Sequence, residues 1–187
     1  MVVVAFVDFR KAFDCVSHVI LLNKLNSQFE VQGSLLSWLT GYLTYRTQFS
    51  VVNGQHSTVL NVTCGIPQGS ALGPTLFALY TNDLPSTVTS GSVFMYWDDT
   101  TVYCIGDTVD NTVTSLNKAL SELNSWCLEN SLTPHLAKCE AILLMRKPHS
   151  GPLNSVTIGE DRSERNTLIF WVLLSMKKFP GHLTLQM

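Results

Sequence analysis

Asp8, Asp98 and Asp99 are the residues of this 187-residue sequence whose type and placement could do chemistry together. Asp8 closes the apolar run Val2-Val3-Val4-Ala5-Phe6-Val7, and Asp98-Asp99 separates two further strand-like runs. Each feature alone is ordinary, because an aspartate ends many strands and a pair of them fills many hairpin turns. Three carboxylates gathered at strand ends on one sheet edge are different. They repel one another unless a divalent cation neutralises them, and hard oxygen donors suit magnesium. Two such ions, roughly 3.5–4 Å apart, can clamp the attacking and leaving oxygens of a phosphoryl transfer.

Such an edge needs strands that end together and helices that cover the sheet behind them. The β-branched run Val2 to Val7 reads as a buried strand. Leu21, Leu22 and Leu25 predict one helix, and Leu35, Leu36, Leu39 and Leu43 predict a second. Gln48 to Val52 and Thr58 to Thr63 flank Asn53-Gly54, a pair suited to the positive backbone angles of a tight hairpin turn. After the turn-like Gly65-Ile66-Pro67-Gln68-Gly69, a helix is expected through Leu72, Leu76, Leu79 and Tyr80, with Pro74 confined to its first turn. Ser92 to Trp97 and Thr100 to Ile105 read as the arms of a hairpin with Asp98-Asp99 at its tip. From Thr112 to Glu129 the apolar positions Val113, Leu116, Leu120, Leu123 and Cys127 step by three and four, which is the clearest helix of the chain. Ala141 to Met145 reads as a strand, and the pattern then weakens until the apolar run Leu168 to Leu174. Strands and helices mix without a βαβ rhythm, so the expected class is α+β, an antiparallel sheet with helices packed on one face.

Ala5-Phe6-Val7-Asp8-Phe9-Arg10-Lys11-Ala12-Phe13-Asp14 resembles the first palm motif of reverse transcriptases, above all those of LINE-type (non-LTR) retrotransposons. Gly65-Ile66-Pro67-Gln68-Gly69-Ser70-Ala71-Leu72-Gly73-Pro74 is similar to the second palm motif, and the likeness runs on through Leu76, Phe77 and Asn82-Asp83-Leu84. Tyr96-Trp97-Asp98-Asp99 stands where the aromatic-x-Asp-Asp motif belongs, and Trp126, Asn130, Leu132 and Lys138 fall where the following helix and lysine motif should lie. The resemblance implies an RNA-directed DNA polymerase palm that extends a primer 3′-hydroxyl. By it, Asp8, Asp98 and Asp99 would hold two magnesium ions, or manganese. Lys138 would assist the leaving pyrophosphate as a proton donor or a positive charge. Phe13 would be the steric gate against a 2′-hydroxyl, or simply core. The backbone from Phe9 through Arg10, Lys11 and Ala12 to Phe13 would receive the triphosphate, and Gln68 and Gly69 would line the nucleotide and template pocket. The implied partners are an RNA template, a DNA primer and deoxynucleoside triphosphates.

Residues 1–147 are expected to form the palm and residues 148–187 a degenerate connection towards a thumb, with fingers and thumb missing. Four departures from the family pattern predict an isolated chain that does not polymerise. The sequence opens on the first palm strand. Ile169-Phe170-Trp171-Val172 carries tryptophan where a primer-gripping turn has glycine, Trp97 adds bulk beside the paired aspartates, and Thr133-Pro134-His135 replaces a Leu-Asn pairing and removes a backbone donor. A net charge of -2 lacks the basic balance of a free-standing nucleic-acid binder. The alternative expectation is therefore a non-catalytic relic of a retroelement, an unstable fragment or an interaction module. Apolar residues at 45% and charged ones at 14% argue against disorder. The five scattered cysteines form no Cys-x-x-Cys pair, and no signal peptide or membrane span is evident, which predicts an intracellular protein of cytoplasm or nucleus.

Overall fold

A computed structural model of the chain describes residues 1–145, 154–158 and 168–174. It divides into two compact units. One comprises Met1–Arg10, Asp83–Glu129 and the described part of Thr133–Met187; the other comprises Lys11–Asn82 and Asn130–Leu132.

The first unit is built on a five-stranded sheet. Its strands are β1 (Val2–Val7), β6 (Ser92–Tyr96), β7 (Asp99–Ile105), β8 (Glu140–Met145) and β9 (Ile169–Leu174), in the order β6-β7-β1-β8-β9. The three pairings among β6, β7, β1 and β8 are antiparallel, as the sequence predicts. The fourth is not: β9 runs parallel to β8, so the sheet is mixed. The two-residue period of the strands sets the buried face. Val3, Ala5 and Val7 of β1 lie opposite Cys104, Val102 and Thr100 of β7, and Val3 and Ala5 lie opposite Leu143 and Ala141 of β8; all are buried. Helix α5 (Val109–Glu129) packs on β1 and β7, and α4 (Leu84–Thr87) packs on α5 and β6. The apolar stripe Val113, Leu116, Leu120, Leu123 and Cys127 is buried as expected. The helix starts three residues earlier than its periodicity because Thr108 caps it, accepting a hydrogen bond from the Asn111 amide at 3.3 Å.

Glu122 lies off the apolar stripe, yet it ties the connection between α4 and β6 to α5. Its carboxylate accepts the amides of Thr89 (2.7 Å) and Ser90 (3.0 Å) and both their hydroxyls. Burial pushes this carboxyl up, but the hydrogen bonds from Ser90 and Thr89 outweigh it and hold the group below the ordinary carboxylate range.

In the second unit α1 (His18–Ser27) packs on α2 (Gly33–Leu43) and on α3 (Gly73–Thr81). Leu21, Leu25, Leu39, Leu43, Leu76, Phe77 and Tyr80 form its core. Pro74 sits in the first turn of α3, where its missing amide has no helical partner to lose. Buried Lys24 donates from Nζ to the Tyr80 carbonyl at 2.7 Å. The predicted hairpin is present as two short ladders. β3 (Val51–Val52) pairs with β4 (Gln55–His56) across Asn53-Gly54, and β2 (Thr47–Gln48) pairs with β5 (Leu60–Asn61) below them. Asn53 and Gly54 both have positive φ, 51° and 78°, the type I′ pattern whose twist matches the strands.

Candidate functional site

The three aspartates are positioned by strand register in the first unit. Val7 lies opposite Thr100, so the next residues on the two strands, Asp8 and Asp99, end side by side at one edge of the sheet. Tyr96 pairs with Asp99, which makes Trp97-Asp98 the two-residue turn between β6 and β7. The tip is thus one residue earlier than the sequence suggests: Asp98 is in the turn and Asp99 is the first residue of β7. Trp97 is the first central residue of this turn and has φ of 60°, a conformation that glycine adopts readily and tryptophan does not. Its indole packs edge-on to Tyr96 at 6.3 Å.

A second segment of the same unit runs along the end of β1. The Arg10 amide donates to the Thr133 carbonyl at 2.8 Å and the His135 amide to the Asp8 carbonyl at 2.7 Å, with Phe9 bridged to Pro134 between them. Both bonds come from residues flanking the bridge, so the missing amide of Pro134 costs this pairing nothing. The same segment delivers Lys138, in a 3-10 turn Leu136–Lys138, with Nζ 3.5 Å from Asp8 Oδ2. The Lys138 side chain is 61% exposed and that of Asp8 32%, so this pair contributes less than about 1 kcal/mol.

Among the described residues, no three His, Cys, Asp or Glu side chains stand close enough together to hold a metal ion. As placed, the carboxylates do not fit a metal pair, and Lys138 is the cation beside Asp8. Nor do the buried thiols of Cys127 and Cys139 offer thiolate ligands. Burial, with neighbouring Cys139, pushes the Cys127 thiol up to about 12, and burial also raises Cys139, so both stay protonated near neutral pH.

The expected nucleotide-binding residues divide between the units. Phe9 and Arg10 belong to the first, where the Phe9 side chain is buried and the Arg10 amide is engaged by Thr133. The others belong to the second. Lys11 is exposed and left-handed (φ 45°), opening a 3-10 turn Ala12–Asp14 in which Ala12 is buried. Phe13 is half-buried and stacks on Phe77, ring centroids 4.7 Å apart. Gln68 and Gly69 are exposed, and Gln68 donates from Nε2 to Asp14 Oδ1 at 2.8 Å.

Sequence reasoning missed what holds these segments of the second unit together. The Ile66 amide donates to the Phe13 carbonyl and the Gly65 amide to the Val16 carbonyl, each at 2.8 Å, and His18 Nε2 lies 2.7 Å from the Gly65 carbonyl. Since that partner can only accept, His18 is the donor. Gly65 is required twice over: its φ is 90°, and a Cβ there would stand 2.9 Å from the Asp14 carbonyl oxygen. Arg46 was missed as well. With Lys11, Asp14, Gln48, Asn61 and Gln68 it lines a cavity of about 500 Å3 within this unit. Its signal in the sequence was isolation, since Arg46 is the one Lys or Arg between Val31 and Asn82.

The comparisons with known proteins agree with the motifs. The family described as "Reverse transcriptase (RNA-dependent DNA polymerase)" matches residues 2–172. The RNA-directed DNA polymerase from mobile element jockey of Drosophila melanogaster is 30% identical over 155 residues, covering 79% of this chain and 17% of that protein. The probable RNA-directed DNA polymerase from transposon X-element of the same species is 39% identical over 82 residues, 43% of this chain and 9% of that protein. The chain therefore spans less than a fifth of the curated relatives it matches. In fold it is similar to the apo telomerase of Candida tropicalis, truncated from its C-terminal domain (TM-score 0.58, 11% identity), over 75% of this chain and 30% of that one. It is also similar to the telomerase of Candida albicans in complex with a telomeric RNA fragment (TM-score 0.56, 14% identity), over 75% and 27%. With its ordered motifs on a sheet of this topology and a family match from the second residue to the last described strand, the chain belongs to the reverse transcriptase family, next to those of mobile elements.

Proposed function

We propose that this chain carries the palm of an RNA-directed DNA polymerase, which adds deoxynucleotides to the 3′-hydroxyl of a DNA primer along an RNA template. The register that brings Asp8 and Asp99 to one edge of the sheet, with Asp98 in the adjoining turn, is the observation that supports this reading most. Asp8, Asp98 and Asp99 would hold two magnesium or manganese ions only if their side chains closed on one another from the positions they occupy here. When bound, such ions supply charge stabilisation for phosphoryl transfer. Lys138, which contacts Asp8 at 3.5 Å, is the proposed positive charge for the leaving pyrophosphate. In the second unit, the Phe13 ring, braced by Phe77, is the proposed gate against a 2′-hydroxyl. Gln68, held by Asp14, is the proposed contact to the nucleotide or template base.

The Asp8–Lys138 pair and the strained Trp97 turn favour a second reading, in which this chain by itself does not catalyse. Phosphoryl transfer rests on positioning, where a displacement of about 1 Å can cost roughly 100-fold in rate. The deciding experiment is primer extension on a homopolymer RNA template with magnesium or manganese, beside manganese binding followed by electron paramagnetic resonance. Incorporation abolished by Asp98→Asn establishes the enzyme. A folded chain that neither extends the primer nor binds manganese establishes the non-catalytic relic.

A further inference from the structure

Strand β6 forms one edge of the five-stranded sheet, and it carries none of the usual protection of an edge. No charged residue stands between Asp83 and Asp98, and Ser92–Tyr96 contains no proline. The two-residue turn closes on the Tyr96–Asp99 pair, so Tyr96, Phe94 and Ser92 direct their amides and carbonyls to β7. By the same alternation those of Val93 and Met95 point outward, to a side that is unpaired among the described residues. The packing of β6 stops short in the same place. Val93 and Met95 lie opposite Val102 and Thr100 on the face that α5 covers, yet they are half-buried while Val102 and Thr100 are buried. On the other face Phe94 and Tyr96 are exposed. A helix or loop laid on one face would cover half of this surface; a further strand beside β6 would cover both halves at once.

The strand that fits is β6 itself. When two copies are set antiparallel about a twofold axis at Phe94, Val93 of each faces Met95 of the other, and these are the residues whose amides and carbonyls point outward on both strands. Phe94 then meets Phe94 of the other copy in the closer, non-hydrogen-bonded pair between them, and Ser92 falls opposite Tyr96. Charge selects the same sense. Parallel pairing would set each Asp98 beside its copy, whereas the twofold carries the two Asp98-Asp99 segments to opposite ends of the seam. We propose that this chain dimerises with a second copy of itself by β6–β6 pairing centred on Phe94, joining the two sheets into one. The pairing is isologous and consumes this edge in both copies, so assembly closes at two. A seam of five residues per copy lies at the small end of protein interfaces, below about 1,200 Å2, so the dimer is weak and reversible.

Pairing needs neither a metal nor the aspartates, so it holds or fails independently of primer extension. The test is sedimentation equilibrium of the full chain across the micromolar range, in EDTA and reductant, where a monomer–dimer equilibrium is expected. Met95→Pro removes an outward amide that β7 does not use, twice across the seam. It should weaken dimerisation by about ten-fold or more and leave the circular dichroism spectrum unchanged. Cross-linking by oxidised glutathione reads the register, in chains whose exposed Cys64 is replaced by serine. Phe94→Cys should link to itself. Ser92→Cys and Tyr96→Cys should link only when the two variants are mixed, because like positions stand four residues out of register, about 13 Å, beyond the reach of a disulfide. The proposal fails if the chain stays monomeric throughout the range, if it grows beyond the dimer, or if Met95→Pro dimerises like wild type. It fails equally if Ser92→Cys links to itself as readily as to Tyr96→Cys, which would mean a different register or a different surface.

Discussion

Trp97 shows how one residue can carry both the position of a site and its cost. Its φ of 60° is set by the two-residue turn that fixes Asp98 and starts β7 at Asp99. An L-residue with a Cβ pays about 1–2 kcal/mol for left-handed backbone, and glycine pays almost none. The bulk of the indole is a separate matter, because it is exposed and touches Tyr96 only edge-on. Two substitutions separate the effects. Trp97→Gly and Trp97→Ala both remove the ring, but only Trp97→Gly relieves the backbone, so it should be more stable than Trp97→Ala by about 1 kcal/mol. Urea denaturation of the pair measures the difference. Equal midpoints would mean that the turn relaxes and stores no strain at this position.

At the scale of elements, the second unit depends on one crossing of backbone by backbone. The segment Phe13 to His18 and the segment Cys64 to Gln68 exchange main-chain bonds at Val16 and Phe13, and the His18 ring closes the clasp. Gly65 admits that approach. In Gly65→Ala the new methyl would meet the Asp14 carbonyl oxygen, which is backbone and cannot swing away, at a φ already disfavoured for alanine. A loss of about 2–4 kcal/mol is expected from strain and overpacking together. A thermal melt of Gly65→Ala that matched wild type would refute the clasp. The elements themselves were legible in the sequence where a local period exists. The stripe of α5, the alternation of β1 and the Asn53-Gly54 turn each state their structure within a dozen residues, and Asp8 and Asp98 could be placed from the strands they adjoin. Partner choice is not written locally. No feature of Ile169–Leu174 marks it as parallel to β8, and no periodicity tells that Glu122 will gather the Thr89 and Ser90 amides. Nor does it reveal that Pro134 falls at a bridge position needing no amide. The turn at Trp97-Asp98 was misread by one residue because two adjacent aspartates look more like a turn than an aspartate inside a strand.

At the scale of the whole molecule, charge and sheet burial pull in the same direction. The sheet face away from α5 carries Phe6, Phe94, Tyr96 and Ile105, exposed by 44%, 65%, 67% and 73%. The register sets Phe6, Thr101 and Phe94 in one row, and β6 is an edge strand whose outer side is unpaired among the described residues. An apolar row beside an open edge is a template for association. A net charge of -2 and a pI near 6.2 supply little repulsion against it. Concentration-dependent self-association is therefore expected, increasing as pH falls from 8 towards about 6.2. Phe94→Glu is the sharpest probe. It places a charge at the open-edge end of the row, at a side chain already largely in water, so its effect on folding stability should stay within about 0.5 kcal/mol while sedimentation shifts towards monomer. If Phe94→Glu associates as the wild type does, the sticky surface lies elsewhere. The exposed row would then be tolerated as it stands, with solvent rather than another chain covering it.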